Sequence, residues 1–239
     1  MIQYLVLLMI YLATHTDFNE YKKEGEYKII SVTELKNEYS FPVIVADNDL
    51  KPLHFAYSEG YLIKDIYLKT DDEWVGINHY RRYFENPKNE TTLPTPIRCN
   101  MHQQFANCHN IEDLYKVEKI IDTYFPEYSM NYSSINELYP CNMFIMKRED
   151  FNEYYRFVFG ILEKFNEENN FKTDEDVYNY VKNNRVKYHN GEHLDIKYQS
   201  RLQGFLMERL GTIFFLQHFK DKPVTYRTIN IVANKIRNY

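Results

Sequence analysis

"LVLLMIYLATH", Leu5 to His15, is the stretch whose reading decides the fold. The apolar run Tyr4 to Ala13 is unbroken. It is too short to cross a bilayer, which takes roughly 20 residues. No Lys or Arg precedes it, so a secretory leader would lack its basic first region. A parallel strand covered on both faces reads as one continuous apolar run. The stretch is therefore expected to be a buried first strand that ends in Thr14 and His15.

Three more runs rich in Val and Ile extend the pattern: "YKIISV" (Tyr27 to Val32), "FPVIVAD" (Phe41 to Asp47) and "EWVGIN" (Glu73 to Asn78). "KPLHFAYSEGYLIKDIYLK", Lys51 to Lys69, is expected as a single helix with Pro52 in its first turn. Strands alternating with helices imply a parallel sheet in an α/β domain. Glu85 to Asn110 contains Pro87, Pro94 and Pro96 without periodicity and reads as a long loop. Ile111 to Phe125 has helical spacing, with Asn110 as N-cap and Glu112 and Asp113 in the first turn. "CNMFIMK" follows as a strand. An amphipathic helix from Arg148 then ends in the polar stretch "NEENNFKTDED". "YQSRLQGFLMERLGTIFFLQHF", Tyr198 to Phe219, is expected as one last helix. Residues 1–219 are read as one domain and 220–239 as a basic tail. That tail either touches an anionic membrane surface or is a solvated terminal helix, and the second reading is favoured.

Composition narrows the function. The net charge of −5 argues against a nucleic-acid binder that relies on a broad positive field. It leaves room for a local basic patch that binds a phosphate. Cys99, Cys108 and Cys141 are odd in number and lack CxxC spacing, so neither a disulfide framework nor a zinc site is expected, and a reducing cytoplasm fits. Aromatic residues make up 17%, with 23 tyrosines. Either A/T-rich codon usage or aromatic platforms for sugars or bases accounts for them.

Ligands of open α/β sheets sit beyond the carboxyl ends of the strands. Three such ends are polar here: Thr14 and His15; Asp47, Asn48 and Asp49; and "HYRR", His79 to Arg82. In an extended chain His79 and Arg81 share one side, with Tyr80 and Arg82 on the other, unless the chain turns. Arginine makes forked hydrogen bonds to phosphate oxygens. "HYRR" is thus either a diphosphate clamp or an arginine pair locked to surface carboxylates. Asp47 and Asp49 form an Asp-x-Asp pattern that suits a divalent cation, Mn or Mg, although neither metal nor other cofactor is firmly called for. The same residues also read as helix caps, and Asp47 or Asn48 as acceptors from a ribose or base. Arg201, Gly204, Glu208 and Gly211 lie on one helical face, where two glycines admit a close approach. Glu208 is a candidate general base, or a structural partner of Arg201 or Arg209.

Together "IYLATH", "GINHYRRYF", "PCNMFIMKREDFNEYYRFVFGIL" and "RLQGFLMERL" resemble a bacterial family of capsular and exopolysaccharide glycosyltransferases, long catalogued as a domain of unknown function. Some members are assigned as galactofuranosyltransferases. The resemblance runs in order from about Ile10 to about Phe219. It implies a single Rossmann-like, GT-A-type catalytic domain with a mostly parallel sheet and C-terminal helices. It also implies a nucleotide-sugar donor, probed first as a UDP-sugar, and a polysaccharide or lipid-linked glycan acceptor. The setting would be cytoplasmic, at the inner membrane's cytoplasmic face if the tail makes contact there. Under this resemblance Thr14, His15, Asp47, Asn48, His79, Tyr80 and Arg81 line the donor. Arg81 and Arg82 neutralise the leaving diphosphate in place of a metal. Asn142, Arg201 and Arg209 meet the sugar or acceptor, and Glu208 takes the acceptor proton. Transfer of a phosphate-like group onto a polysaccharide and non-catalytic carbohydrate binding are the competing readings.

Overall fold

The computed structural model describes residues 8–18, 26–187 and 194–231. Its elements in chain order are β1 (Leu8–Thr14), β2 (Glu26–Ser31), β3 (Val43–Val45), α1 (His54–Tyr57), α2 (Glu59–Lys69), β4 (Trp74–His79), β5 (Arg82–Tyr83), β6 (Thr92–Pro94) and β7 (Ile97–Arg98). Then follow α3 (Met101–Ala106), α4 (Ile111–Tyr124), β8 (Glu137–Leu138), β9 (Phe144–Lys147), α5 (Arg148–Asn169), α6 (Asp174–Asn183), α7 (Ile196–Gln199), α8 (Leu202–His218), β10 (Thr225–Arg227) and β11 (Asn230–Ile231).

The main sheet has the order β10-β6-β9-β4-β1-β2-β3. Strands β3, β2, β1 and β4 are parallel, and β9 runs antiparallel to β4 and β6. This is the expected α/β fold, with a mostly parallel sheet and helices in its C-terminal half. Strand β1 explains its own sequence. Met9, Tyr11 and Ala13 enter one core with the long helices, while Ile10 and Leu12 enter a second core on the opposite face. Gly76 of β4 lies on that second face, where a Cβ would come within 2.5 Å of Ile10 Cδ1. The part of the first apolar run before Leu8 lies outside the described residues.

The larger core is aromatic. Tyr154 and Phe159 of α5, Phe214 and Phe215 of α8, and Phe144 of β9 are all buried. Tyr11, Tyr57, Tyr61, Tyr128 and Tyr139 are buried too. Much of the tyrosine content is thus core, while Tyr115, Tyr124, Tyr178, Tyr198 and Tyr226 remain exposed.

Four expectations need correction. The helix over Lys51–Lys69 is broken at Ser58, which adopts φ 52° and ψ −125°. Asp174 caps the first piece from outside, accepting from Phe55 N (3.2 Å) and Ala56 N (2.9 Å). The helix over Tyr198–Phe219 is broken at Ser200–Arg201, so α8 begins at Leu202. Glu85–Asn110 is not one loop: β6 is inserted between β9 and β10, and α3 is capped by the Asn100 side chain. Lastly, residues 225–231 are not a terminal helix. Strand β10 joins β6 in parallel, and β11 pairs with β5. Lys235 and Arg237 of the tail lie outside the described residues. The polar stretch after Phe165 also holds more order than expected. Helix α5 runs on to Asn169, and α6 starts from a reciprocal Thr173–Asp176 capping box.

Candidate active site

Parallel strands β1, β2 and β4 end side by side. Ala13 pairs with His79, and Thr14 with Ser31. Beyond these ends lies a cavity of about 320 Å³. Its walls include Thr14, His15, Ser58, Glu59, His79 and Arg201. A volume of that order suits a small organic ligand. Ala13, Val32, Phe55 and Leu62 supply an apolar side.

The chain does turn at "HYRR". His79 pairs with Arg82 across a two-residue turn, Tyr80–Arg81. The alternation of sides expected for an extended segment is therefore lost. Tyr80 is buried. Its ring lies 4.3 Å from the His79 ring and 5.3 Å edge-on from His15. The Arg81 guanidinium stands 4.9 Å over the same ring. Arg81 is exposed and Arg82 half-buried, and among the described residues neither is in an ion pair. The turn is braced from behind, because β11 registers Ile231 against Arg82 and Asn230 against Tyr83.

Thr14 is buried and bends the chain off the sheet. Its Oγ1 donates to Thr16 O at 2.6 Å and accepts from Thr16 N at 3.2 Å. Burial pushes the His15 imidazole below its ordinary range; Glu59 opposes this, while His79, Arg201 and Arg81 reinforce it.

Glu208 lies on α8 and is not part of the cavity lining. Its Oε1 accepts from Cys141 N at 2.8 Å and its Oε2 from Arg209 Nη1 at 3.0 Å. Burial pushes its carboxyl above the usual carboxylate range, against the pull of Arg209 and the Cys141 N–H. Cys141 and Asn142 both adopt positive φ (70° and 49°), which presents the Cys141 N–H to Glu208. Burial pushes the Cys141 thiol up to about 11; Glu208 and Glu59 add to this, and Arg82 and Arg81 oppose it. The two arginines, Glu59 and Glu208 therefore share one electrostatic environment. Asn142 is buried, and among the described residues its Oδ1 has no hydrogen-bond partner.

Other sequence candidates are placed elsewhere. Asp47, Asn48 and Asp49 do not line the cavity. Asn48 donates to Tyr61 O (2.9 Å) and Asp65 (2.8 Å), Asp47 pairs with Lys51, and Asp49 pairs with Lys64. Asp47 and Asp49 hold side chains of the α2 region rather than a common point. Among the described residues no cluster of three His, Cys, Asp or Glu side chains could hold a metal ion. Arg209 is wholly enclosed, bonded to Phe205 O, Glu208 and Gln104. It offers no surface to a sugar, and its contacts instead fix Glu208. Arg201 pairs with Glu59 rather than Glu208.

Sequence reasoning missed Ser58 and Glu59. The signal was "YSEG" inside a helical run, a weak local breaker. Gly204 belongs to the same device. A Cβ there would meet Ser58 Oγ at 3.0 Å, Ser58 Cβ at 3.1 Å and Tyr57 O at 3.3 Å. Gly204→Ala is expected to cost about 1–3 kcal/mol, since backbone cannot yield as a side-chain tip can. An unchanged denaturation midpoint would show that the Ser58 turn moves aside freely.

With this geometry in place, the likenesses to known proteins can be weighed. A family model described as a domain of unknown function (DUF4422) matches residues 88–194. That segment carries α3 to α6 and β9 but none of the cavity's strand ends. No curated protein matches the chain. Among solved structures, the "WbbM bifunctional glycosyltransferase" in its apo form is similar at a TM-score of 0.66 and 16% identity, over 95% of this chain and 46% of that one. The fold is GT-A-like. At that identity the likeness extends to the fold alone, and the chain spans less than half the length of the other. No described helix of this GT-A-like chain is long and apolar enough to cross a membrane.

Proposed function

We propose that the protein is a glycosyltransferase that moves a sugar from a nucleotide donor to a hydroxyl of a glycan acceptor. The observation that carries this reading is the cavity at the ends of β1, β2 and β4, which is lined by His15, His79 and Arg201 and has the Tyr80–Arg81 turn directly after His79. The similar structure's description as a glycosyltransferase adds support.

In the reaction the acceptor O–H gives its proton to the Glu208 carboxylate. The acceptor oxygen forms a bond to the anomeric carbon, the bond from that carbon to the diphosphate breaks, and the electron pair leaves on the diphosphate oxygen. Arg81 and Arg82 neutralise that developing charge. His15, His79 and Arg201 line the donor. Asn142 is buried outside the cavity lining and is given no contact with the sugar. Arg209 and the Cys141 N–H hold Glu208 in place. A divalent cation is not given a role among these residues.

The finer reading is a UDP-linked donor, with a galactofuranosyl group as the first to test, and a capsular or other surface polysaccharide as acceptor. The test is incubation with a panel of UDP-, GDP- and dTDP-sugars and acceptor glycans, with the released nucleotide measured. Release of a nucleoside diphosphate is expected. Release of the monophosphate would assign transfer of a phosphate-bearing sugar instead. No release and no nucleotide binding across the panel would overturn the reading.

A further inference from the structure

A carboxylate stands inside a cavity whose other polar walls are Arg201, three histidines and hydroxyl side chains. Glu59 is the first residue of α2, and its side chain is 19% exposed. It reaches the cavity because Ser58 ends α1 in a left-handed conformation. Its Oε1 lies 3.3 Å from His79 Nε2, and its Oε2 lies 3.7 Å from Arg201 Nη2. Arg201 is held a second time, since its Nε donates to Ser58 Oγ at 2.7 Å. Two consecutive residues at the helix break therefore fix one guanidinium.

His79 carries the constraint further. Its Nδ1 accepts the Arg81 backbone N–H at 3.1 Å. The ring proton must then sit on Nε2, the nitrogen that faces Glu59. Glu59 thus faces the protonated nitrogen of His79, and the other ring nitrogen holds the backbone of the Tyr80–Arg81 turn. One carboxylate is linked to three cationic or donor groups on three elements: β4, the "HYRR" turn and the start of α8.

We propose that Glu59 is a positioning residue that holds Arg201, His79 and, through His79, the Arg81 turn in the arrangement that receives the diphosphate of the donor. The proposal rests on the nucleotide-donor reading above. Two physical effects of Glu59 on an anion have opposite sign. Its own negative charge repels a diphosphate. Its ordering of long cationic side chains removes an entropy cost that binding would otherwise meet. The geometry favours the second effect, because one carboxylate oxygen already faces the His79 N–H and the other the Arg201 guanidinium rather than open space.

The experiment compares wild type with Glu59→Gln by calorimetric titration of UDP, inorganic pyrophosphate and uridine. Affinity for UDP and for pyrophosphate is expected to fall by about tenfold or more, by similar factors, although a negative charge has been removed. Uridine affinity is expected to stay the same, which also shows that the pocket is folded. Equal or tighter UDP binding by Glu59→Gln would overturn the proposal in favour of simple repulsion. Loss for UDP and uridine but not pyrophosphate would overturn it in favour of a ribose or base contact. A wild-type protein that binds neither UDP nor pyrophosphate would remove the donor reading, and this inference with it. Arg201→Met supplies a second arm. It should weaken pyrophosphate binding in wild type and weaken it less in the Glu59→Gln background, and equal losses in both backgrounds would also overturn the proposal.

Discussion

Glu208→Gln is expected to lower turnover by a factor of about 10²–10⁴, the range over which a positioned general base contributes. The substitution keeps the size of the side chain and leaves one oxygen to accept from either Cys141 N or Arg209. What it removes is the ability to accept a proton. Burial pushes the Glu208 carboxyl upward, Arg209 and the Cys141 N–H pull it back, and Glu59 adds to the upward shift. The net result is a carboxylate more basic than a free one, which suits proton abstraction from a hydroxyl. The sign for pH follows. Only the ionised form accepts a proton, so kcat/KM falls as pH drops through the raised pKa. The acid limb of the wild-type profile should lie above the ordinary carboxylate range, and Glu208→Gln should lose that limb. NMR of the product supplies an independent check, because a base of this kind requires inversion at the anomeric carbon. A product with the donor's anomeric configuration, or a variant that turns over at the wild-type rate, would take Glu208 out of the chemistry.

Much of this site was legible before any coordinates. Thr14, His15, His79 and Arg201 were named from strand ends and one helical face, and all four line the cavity. They could be read because β1, β2 and β4 are buried on both faces. Such strands carry unbroken apolar runs, and the residue where a run stops marks the sheet's rim. Glu208 stood out as a carboxylate about one turn from each of two glycines of its helix, Gly204 and Gly211. Glu59 was not. Apolar residues continue on both sides of Ser58, and Ala56, Tyr57, Tyr61 and Leu62 are all buried. Periodicity therefore passed over the break, which only the positive φ of Ser58 reveals. The Cys141 N–H was invisible for another reason: a backbone donor has no sequence signature of its own. Asp47 and Asp49 offered only a weak cation pattern beside their reading as helix caps. An Asp-x-Asp pattern specifies a cation only if both side chains converge, and here each is drawn to a different lysine.

The fold divides along the same line. Long elements such as α4 and α5 announced themselves through spacing and caps. Strands of two or three residues did not. Strand β6 ends in a proline, and β10 is a Thr-Tyr-Arg triplet with an exposed Tyr226, whose strand character comes from its partner, not from propensity. These short pieces matter for function, because β11 braces the turn that carries Arg81.

That bracing makes Arg81→Ala a clean test of the anion-neutralising turn. Turnover is expected to fall by about 10²–10³, the cost of losing one preorganised donor to a developing negative charge. The fold should not notice the change. The side chain is exposed and touches the Tyr80 ring, and among the described residues it makes no ion pair. The contact that shapes the turn is made by the backbone N–H of Arg81 to His79 Nδ1, which alanine retains. Melting temperature should therefore match wild type, and uridine should bind as before. Arg81→Lys should recover part of the loss, since a point charge restores the field but not the forked geometry. Salt should weaken donor binding more in wild type than in Arg81→Ala, because the screened interaction is the one removed. Arg82 is half-buried and paired in β5, so its side chain is less free to follow the departing diphosphate. Arg82→Ala should accordingly cost less than Arg81→Ala. If Arg81→Ala transfers sugar at a near-normal rate, the charge on the leaving group is being met elsewhere, and the turn is only a brace for His79.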